Sequence, residues 1–453
     1  MVRLWPFGSD DRIRADVTFL NLETALGKPT TKSKGEEIPE TVLVDDTGIE
    51  ETPLLDIPSV REIPEIPIIG IGGAGARIVE QLRKRFLQYG INYDLATIET
   101  DKDVLSKIEV TRKLHIGDTP YGTAKQFRKG ATIYKKDKEK IEAFVETYLN
   151  EFHKKSNHNL VFLILGAGGT GVGVSLELAD FLISKGLRPV PILVLPSSLE
   201  NTRTKFIAAA ALYHFTYAPG SRSKNLVTVL IDNDEFFENN SKYKPEKIFG
   251  AINERIGAVL ADLITITEVE SDGYSSDLNE FIEIFRGPKG IATLASFDKE
   301  ETPEDLVDLY DGSIKKSLGY PLVPSNATRG YIFIQAGKGK ITASSYRNLF
   351  LQFSNKDFFH EYKVSKDAGL HFRAFFVGNP VPDKLKEFMR AAEDVRVYIL
   401  NEEINNSDFG KVNPKIDKLN KDEEIEVKAP KEIAEELARE ATKIRRGEIE
   451  GDH

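Results

Sequence analysis

The chain has 453 residues, a formal charge of −10 and no cysteine. This length predicts two or three domains. The acidic surplus argues against a nucleic-acid binder, because neutralising phosphates requires an excess of Lys and Arg. Disulfides, thiol catalysis and Cys-ligated zinc are excluded. No apolar run is long enough to span a bilayer and no secretory apolar region opens the sequence, so we expect a cytoplasmic protein.

Residues 1–65 are predicted to be an N-terminal extension, largely linker. Residues 28–67 mix Pro, Thr, Asp and Glu with little periodic apolar content. The opening segment MVRLWPFG holds the only Trp of the chain. Two interpretations stay open: the extension is an arm that tucks onto the body, or it docks on a membrane, a membrane adaptor or another partner.

From residue 66 onward, buried strands alternate with amphipathic helices. IPIIGIG, DLATIET, NLVFLILG, PVPILVLP and NLVTVLID have the character of strands. This alternation predicts an α/β domain over residues 66–244, with a parallel sheet covered by helices on both faces. A long central helix and a loop with two carboxylates are predicted over residues 245–287. Residues 288–402 are expected to form a smaller α+β domain, and residues 403–453 a charged tail.

Two glycine-rich loops, each between a strand and a helix, mark the predicted ligand site. GIGGAG at residues 70–75 fits the G-x-G-x-x-G pattern of dinucleotide-binding folds, and Glu99 ends the next strand, where such folds hold a ribose. GAGGTGVG at residues 166–173 contains five glycines, and Thr170 adds a hydroxyl. Glycines let the backbone approach a phosphate, and a helix N-terminus presents N–H groups to it. We expect both loops to meet at one ligand.

The second loop resembles the G-G-G-T-G-[ST]-G signature of the tubulin/FtsZ superfamily, with Ala167 at the first glycine and Val172 at the hydroxyl position. IIGIGGAGARIV resembles the first FtsZ loop, TIETD the strand end V-N-T-D, and LIDNDEFF the segment I-P-N-D-x-L-L. An Asp in the last segment is also typical of the CetZ branch. The chain therefore resembles a divergent archaeal FtsZ-like or CetZ-like protein. The resemblance implies a Rossmann-like GTP-binding domain joined by a long central helix to a smaller α+β domain.

The resemblance also implies which residues contact GTP or GDP. They are Gly72, Gly73, Ala74, Gly75, Arg77, Gly166, Gly168, Gly169, Thr170, Gly171, Gly173, Glu200, Arg203, Asn233, Phe249 and Asn253. Phe249 is expected to stack on guanine and Asn253 to read its edge, because a ring supplies area and an amide supplies a donor and an acceptor. Mg²⁺ is implied by the triphosphate, whereas no protein ligand for a metal is predicted.

The loop after the central helix, GYSSDLNEF, resembles the N-x-D-x-x-D loop that one FtsZ subunit inserts next to the γ-phosphate of its neighbour. The resemblance implies Asp277 and Glu280 as catalytic residues, with Glu280 positioning water. The segment GDTPYGTAKQFRKGA departs from the glycine-rich FtsZ loop that senses the γ-phosphate. It offers Gly122, Lys125, Arg128 and Lys129 instead, so its basic side chains could engage phosphate without the same backbone cradle.

Three functions remain open at this point. The first is a GTPase that assembles with itself, head to tail, into filaments for cell division or cell shape. The second is a GTP-binding scaffold with little or no hydrolysis. The third is an NAD-binding Rossmann oxidoreductase that uses the first loop and Glu99, but it leaves the second loop and the carboxylate loop unexplained. None of the three has a nucleic acid as partner.

Overall fold

A computed structural model of the chain describes most of residues 52–386. The described residues are 52–57, 66–153, 158–217, 226–239, 245–267, 277–287, 290–299, 318–320, 322, 326–351, 353, 356–366, 369–381 and 385–386. The segment MVRLWPFG and the charged tail predicted over residues 403–453 lie outside these ranges.

Within the described residues, the strands and helices alternate over the first two thirds of the chain. The strands are β1 (Ile68–Ile71), β2 (Ala96–Glu99), β3 (Arg112–His115), β4 (Leu160–Gly166), β5 (Arg188–Leu195), β6 (Val227–Asp232), β7 (Gly290–Lys299), β8 (Arg329–Gly337), β9 (Asp357–Ser365) and β10 (Leu370–Asn379). The helices are α1 (Gly72–Gln88), α2 (Lys102–Ser106), α3 (Phe127–Lys136), α4 (Lys138–His153), α5 (Gly169–Ser184), α6 (Thr202–Leu212), α7 (Asn233–Asn239), α8 (Pro245–Ile266), α9 (Leu278–Glu283) and α10 (Ala343–Leu351).

The described strands form one ten-stranded sheet in the order β3-β2-β1-β4-β5-β6-β7-β10-β8-β9. The first seven strands of this order run parallel to their neighbours, β10 is antiparallel to both β7 and β8, and β9 is parallel to β8. This mostly parallel sheet with its helices confirms the predicted α/β class. The strands after residue 288 continue the same sheet, because β7 pairs with β6.

The apolar strands in the middle of the sheet explain why this fold forms. All described residues of β1 and β4 are buried, which their continuous runs of Ile, Leu, Val and Phe favour. The main core surrounds β1 to β7 and α8, and a smaller core packs α10 against β8 and β10. The parallel arrangement brings the carboxyl ends of β1, β4, β5 and β6 to the same edge.

Residues 52–57 of the predicted extension lie on the body of the protein. The main chain of Asp56 and the side-chain amide of Gln335 on β8 form two hydrogen bonds of 2.9 Å. Thr52 Oγ1 donates to Glu254 on α8 at 3.1 Å, and Arg85 on α1 donates to the Thr52 carbonyl at 2.9 Å. These six residues therefore pack against the body, whereas residues 1–51 and 58–65 of the predicted extension lie outside the described residues. Across the described part of the chain, every helix is too short or too polar to cross a bilayer.

Candidate functional site

A cavity of about 750 Å³ opens at the carboxyl edge of the central strands. Eleven of the sixteen predicted nucleotide residues line it: Gly72, Gly73, Ala74, Arg77, Gly166, Gly168, Gly171, Glu200, Asn233, Phe249 and Asn253. Five predicted nucleotide residues are not among its lining: Gly75, Gly169, Thr170, Gly173 and Arg203. The fold thus brings together residues that are more than 180 positions apart in the sequence.

The two glycine loops lie side by side because β1 and β4 are paired, with Ile71 opposite Leu165. Gly72 has a φ of +75°, and a Cβ atom added there would lie 2.7 Å from the nitrogen of Gly171. Gly168, in contrast, has no atom within 4 Å of its Cβ position. Helices α1 and α5 begin at these loops and have no acidic residue in their first turns, so the positive ends of both helix dipoles are available to an anion.

Three predicted glycines outside the lining permit close packing behind the loops. A Cβ added at Gly75 would lie 2.2 Å from the Ile164 carbonyl oxygen on β4. At Gly173 it would lie 2.1 Å from the carbonyl oxygen of Phe127, and at Gly169 it would lie 2.3 Å from Thr123 Oγ1. Each contact is too short for any side chain, so these glycines set how α1, α3 and α5 approach their neighbours.

Thr170 also faces the protein interior. Its Oγ1 lies 2.7 Å from Thr100 Oγ1 and 3.3 Å from Thr123 Oγ1, and all three residues are buried. This hydroxyl cluster ties the second glycine loop to the end of β2 and to the connection between β3 and α3. The loop is thereby held in place from behind.

An aromatic ring and two buried polar atoms line the other end of the cavity. Phe249 on α8 is 48% exposed and touches Phe237 edge to face, with ring centroids 5.6 Å apart. Asn253 lies one turn further along α8. Asn233 Oδ1 and Ser197 Oγ are buried and have no hydrogen-bond partner among the described residues. Because such atoms cost free energy when they are unpaired, they favour a polar ligand in this cavity.

The charged side chains of the lining already interact with one another or with the loops. Arg77 Nη1 donates to the carbonyl of Gly73 at 3.3 Å. Lys125 Nζ lies 3.2 Å from Glu200 Oε2 and 3.0 Å from Thr204 Oγ1. The motifs of the sequence did not indicate Ser197, Thr204 or Phe237 as site residues. Phe237 had a readable signal, since it follows Asn233 by four residues on α7 and thus shares its face.

Glu99, the residue on which a dinucleotide site would depend, already accepts hydrogen bonds from the residues that follow it. Its Oε1 accepts hydrogen bonds from the main-chain nitrogens of Thr100 and Asp101, at 2.6 and 3.0 Å. The side chain is buried, and this burial raises the pKa of its carboxyl. Glu99 does not belong to the lining of the cavity, so the arrangement gives the oxidoreductase hypothesis no ribose ligand.

Asp277 and Glu280 lie at the start of α9 and do not line the cavity. Asp277 caps this helix, because its Oδ1 accepts the Glu280 main-chain N–H at 3.0 Å. Glu280 Oε2 is buried and has no hydrogen-bond partner within the part of the chain that the structure describes. Burial, and then the charge of Asp277, raise the pKa of Glu280 above its ordinary value. Among the described residues, His and carboxylate side chains form no cluster suited to a metal ion.

Comparison with protein families matches residues 65–241 to the GTPase domain of the Tubulin/FtsZ family. Cell division protein FtsZ 1 of Pyrococcus abyssi is 24% identical over 224 residues, which are 49% of this chain and 55% of that protein. FtsZ 1 of Thermococcus kodakarensis is 26% identical over 177 residues, which are 38% of this chain and 43% of that protein. The chain thus spans about half the length of these curated relatives.

Solved structures share the fold over most of the chain. CetZ2 from Haloferax volcanii, in a GTPγS-bound protofilament, aligns with a TM-score of 0.59 and 20% identity, covering 74% of this chain and 99% of that one. A GTPγS-form protofilament of Bacillus thuringiensis TubZ aligns with a TM-score of 0.61 and 13% identity, covering 77% and 97%. An FtsZ dimer of M. jannaschii aligns with a TM-score of 0.54 and 19% identity, covering 70% of this chain and 88% of that one.

Proposed function

We propose that this chain, whose residues 65–241 match the GTPase domain of the Tubulin/FtsZ family, binds GTP and assembles head to tail into filaments that hydrolyse it. The cavity carries the proposal, because it joins two glycine loops, an exposed ring and two unpartnered polar atoms in one site. The FtsZ 1 relatives are named as cell division proteins, which supports a role in cell division, and a role in cell shape stays part of the proposal.

The parts of the cavity fit the parts of GTP. The main-chain N–H groups of the glycine loops and the N-termini of α1 and α5 suit the phosphates. Phe249 offers an exposed face for the guanine, and Asn253 offers an amide one turn away. Asn233 Oδ1, an acceptor without a donor, suits an N–H of the base or a ribose hydroxyl. Mg²⁺ would bind through the phosphates, whose charge it neutralises.

Hydrolysis by Asp277 and Glu280 requires a second copy of the chain. Neither carboxylate lines the cavity of its own chain, so each can reach a phosphate only in a neighbour that stacks on α9. The protofilament and dimer structures of the relatives support such stacking. In this arrangement Glu280 would orient the attacking water and accept its proton, and Asp277 would fix the backbone of Glu280 through the helix cap.

A GTP-binding scaffold with little hydrolysis is the second candidate. The turn at residues 123–126 favours it, because Ala124 and Lys125 occupy positions where FtsZ has a glycine-rich loop that senses the γ-phosphate. Basic side chains there still favour phosphate binding, but they do not reproduce that backbone cradle.

The test is phosphate release from GTP with Mg²⁺, measured against protein concentration alongside sedimentation. The proposed GTPase predicts activity per subunit that rises above a critical concentration and is abolished in Glu280→Ala. Glu283→Ala is the matched control, because Glu283 lies on the same helix and forms an ion pair with Arg286 at 2.8 Å. GTP-dependent sedimentation with negligible release would establish the scaffold instead. Absence of GTP binding in the unaltered protein would refute both.

A further inference from the structure

Lys125 connects two parts of the cavity wall that are far apart in the sequence. It lies between β3 and α3, whereas Glu200 and Thr204, its two partners, lie at the start of α6. All three residues line the cavity together with the glycine loops. The Lys125 ammonium group therefore lies in the wall of the proposed nucleotide site.

The backbone around Lys125 is held in an unfavourable conformation. Ala124 and Lys125 have φ values of 52° and 58°, a left-handed region that L-residues other than glycine rarely adopt. The turn is closed by a hydrogen bond of 3.1 Å from Gln126 N to the carbonyl of Thr123. Thr123 is in turn buried against Thr170 in the second glycine loop. Strain that the surrounding structure maintains is typical of ligand sites.

The partner that Lys125 has in the structure is easily replaced. The side chains of Lys125 and Glu200 are 46% and 24% exposed, and ion pairs with this exposure contribute little to stability. Among the described residues that line the cavity, Arg77 and Lys125 are the cations and Glu200 is the anion. A phosphate chain carries more negative charge than one carboxylate and accepts several hydrogen bonds, so it is the stronger partner for an ammonium.

We propose that Lys125 exchanges Glu200 for the phosphate chain when a nucleotide binds, which releases the Glu200 carboxylate to accept a ribose hydroxyl. Lys125 would thus be a binding residue that couples recognition of the phosphates to recognition of the sugar. This inference rests on the proposed nucleotide site and assigns it a residue that the glycine motifs do not contain.

The experiment separates the phosphates from the rest of the nucleotide by using inorganic tripolyphosphate as the probe. Its affinity is measured by calorimetry for the full chain, for Lys125→Met, for Glu200→Gln and for the double variant. We expect Lys125→Met to weaken binding about tenfold, as for loss of one charge-assisted hydrogen bond. Glu200→Gln should strengthen binding, because it removes the competitor for Lys125. Lys107→Met is the control, since Lys107 is exposed directly after α2 and does not line the cavity.

The double variant decides whether the exchange takes place. If Lys125 changes partner, Glu200→Gln strengthens tripolyphosphate binding much more in the presence of Lys125 than in the Lys125→Met background. Equal gains in both backgrounds would show only a general charge effect and would overturn the exchange. GTP titrations keep the two proposals apart. If the unaltered chain does not bind GTP, the nucleotide site itself is contradicted. If the unaltered chain binds GTP and Lys125→Met binds it with the same affinity, only the role of Lys125 is contradicted.

Discussion

Replacing Asp262 by Asn should destabilise the protein more than any exposed charge removal. Asp262 is fully buried in α8 and accepts hydrogen bonds from Arg85 Nε and Tyr89 OH, at 2.7 and 2.6 Å. It also accepts a hydrogen bond from Arg373 Nε at 3.0 Å, and the Arg373 side chain is itself fully buried. This carboxylate therefore joins the helix of the first glycine loop, the central helix and β10.

The size of the effect follows from what remains after the substitution. The amide introduced by Asp262→Asn would keep one acceptor oxygen, but its N–H groups would face the buried guanidinium groups of Arg85 and Arg373. Arg373 would still have Asp298 as a carboxylate partner, at 2.8 Å. Removing one partner of a buried ion pair costs about 3–5 kcal/mol, so we expect a loss of that order in the free energy of unfolding.

The assay is equilibrium unfolding in urea, with the midpoint and slope compared between variants. The control is Glu146→Gln, which removes an exposed ion pair with Lys185 at 2.6 Å and should leave the midpoint unchanged. A loss for Asp262→Asn no larger than that of the control would refute the conclusion that both arginines depend on this carboxylate.

Three further outcomes test the site. Gly72→Ala should lower the unfolding midpoint, because a left-handed Ala costs about 1–2 kcal/mol before any contact is counted, whereas Gly168→Ala should not; equal midpoints would contradict the packing of the loops. Asn253→Ala should weaken GTP binding and leave ATP binding unchanged, and equal losses in titrations would argue against base reading. Because the pKa of Glu280 is raised, the acidic limb of the pH–rate profile for phosphate release should lie at a higher pH than an ordinary glutamate would give. Asp277→Asn removes a charge that raises this pKa, so it should move the acidic limb to lower pH. An acidic limb that does not move would contradict the assignment of Glu280.

The sequence determined the strands β1, β2, β4, β5 and β6, the central helix and the position of the two glycine loops. These features depend on neighbouring residues. The apolar runs of β1 and β4 are as long as a buried strand, and the glycine clusters indicate where the backbone turns. The long central helix that the sequence predicts within residues 245–287 is α8, Pro245–Ile266. Residues 127–153 form two helices, α3 and α4, because Asp137 ends α3 and its carboxylate accepts the main-chain N–H of Gly117 at 2.7 Å.

Only the tertiary structure decided which side chains meet across the sequence. Asp262 and Arg85 are 177 positions apart and Lys125 and Glu200 are 75 apart, so no local period relates them. Thr170 is a second example. The sequence predicts that it contacts the nucleotide, whereas in the structure its hydroxyl lies 2.7 Å from that of Thr100. Sequence patterns report the burial and backbone shape that neighbouring residues impose on each other. Partners of a charge or a hydroxyl depend instead on how separate elements pack, and that is fixed only when the whole sheet has formed.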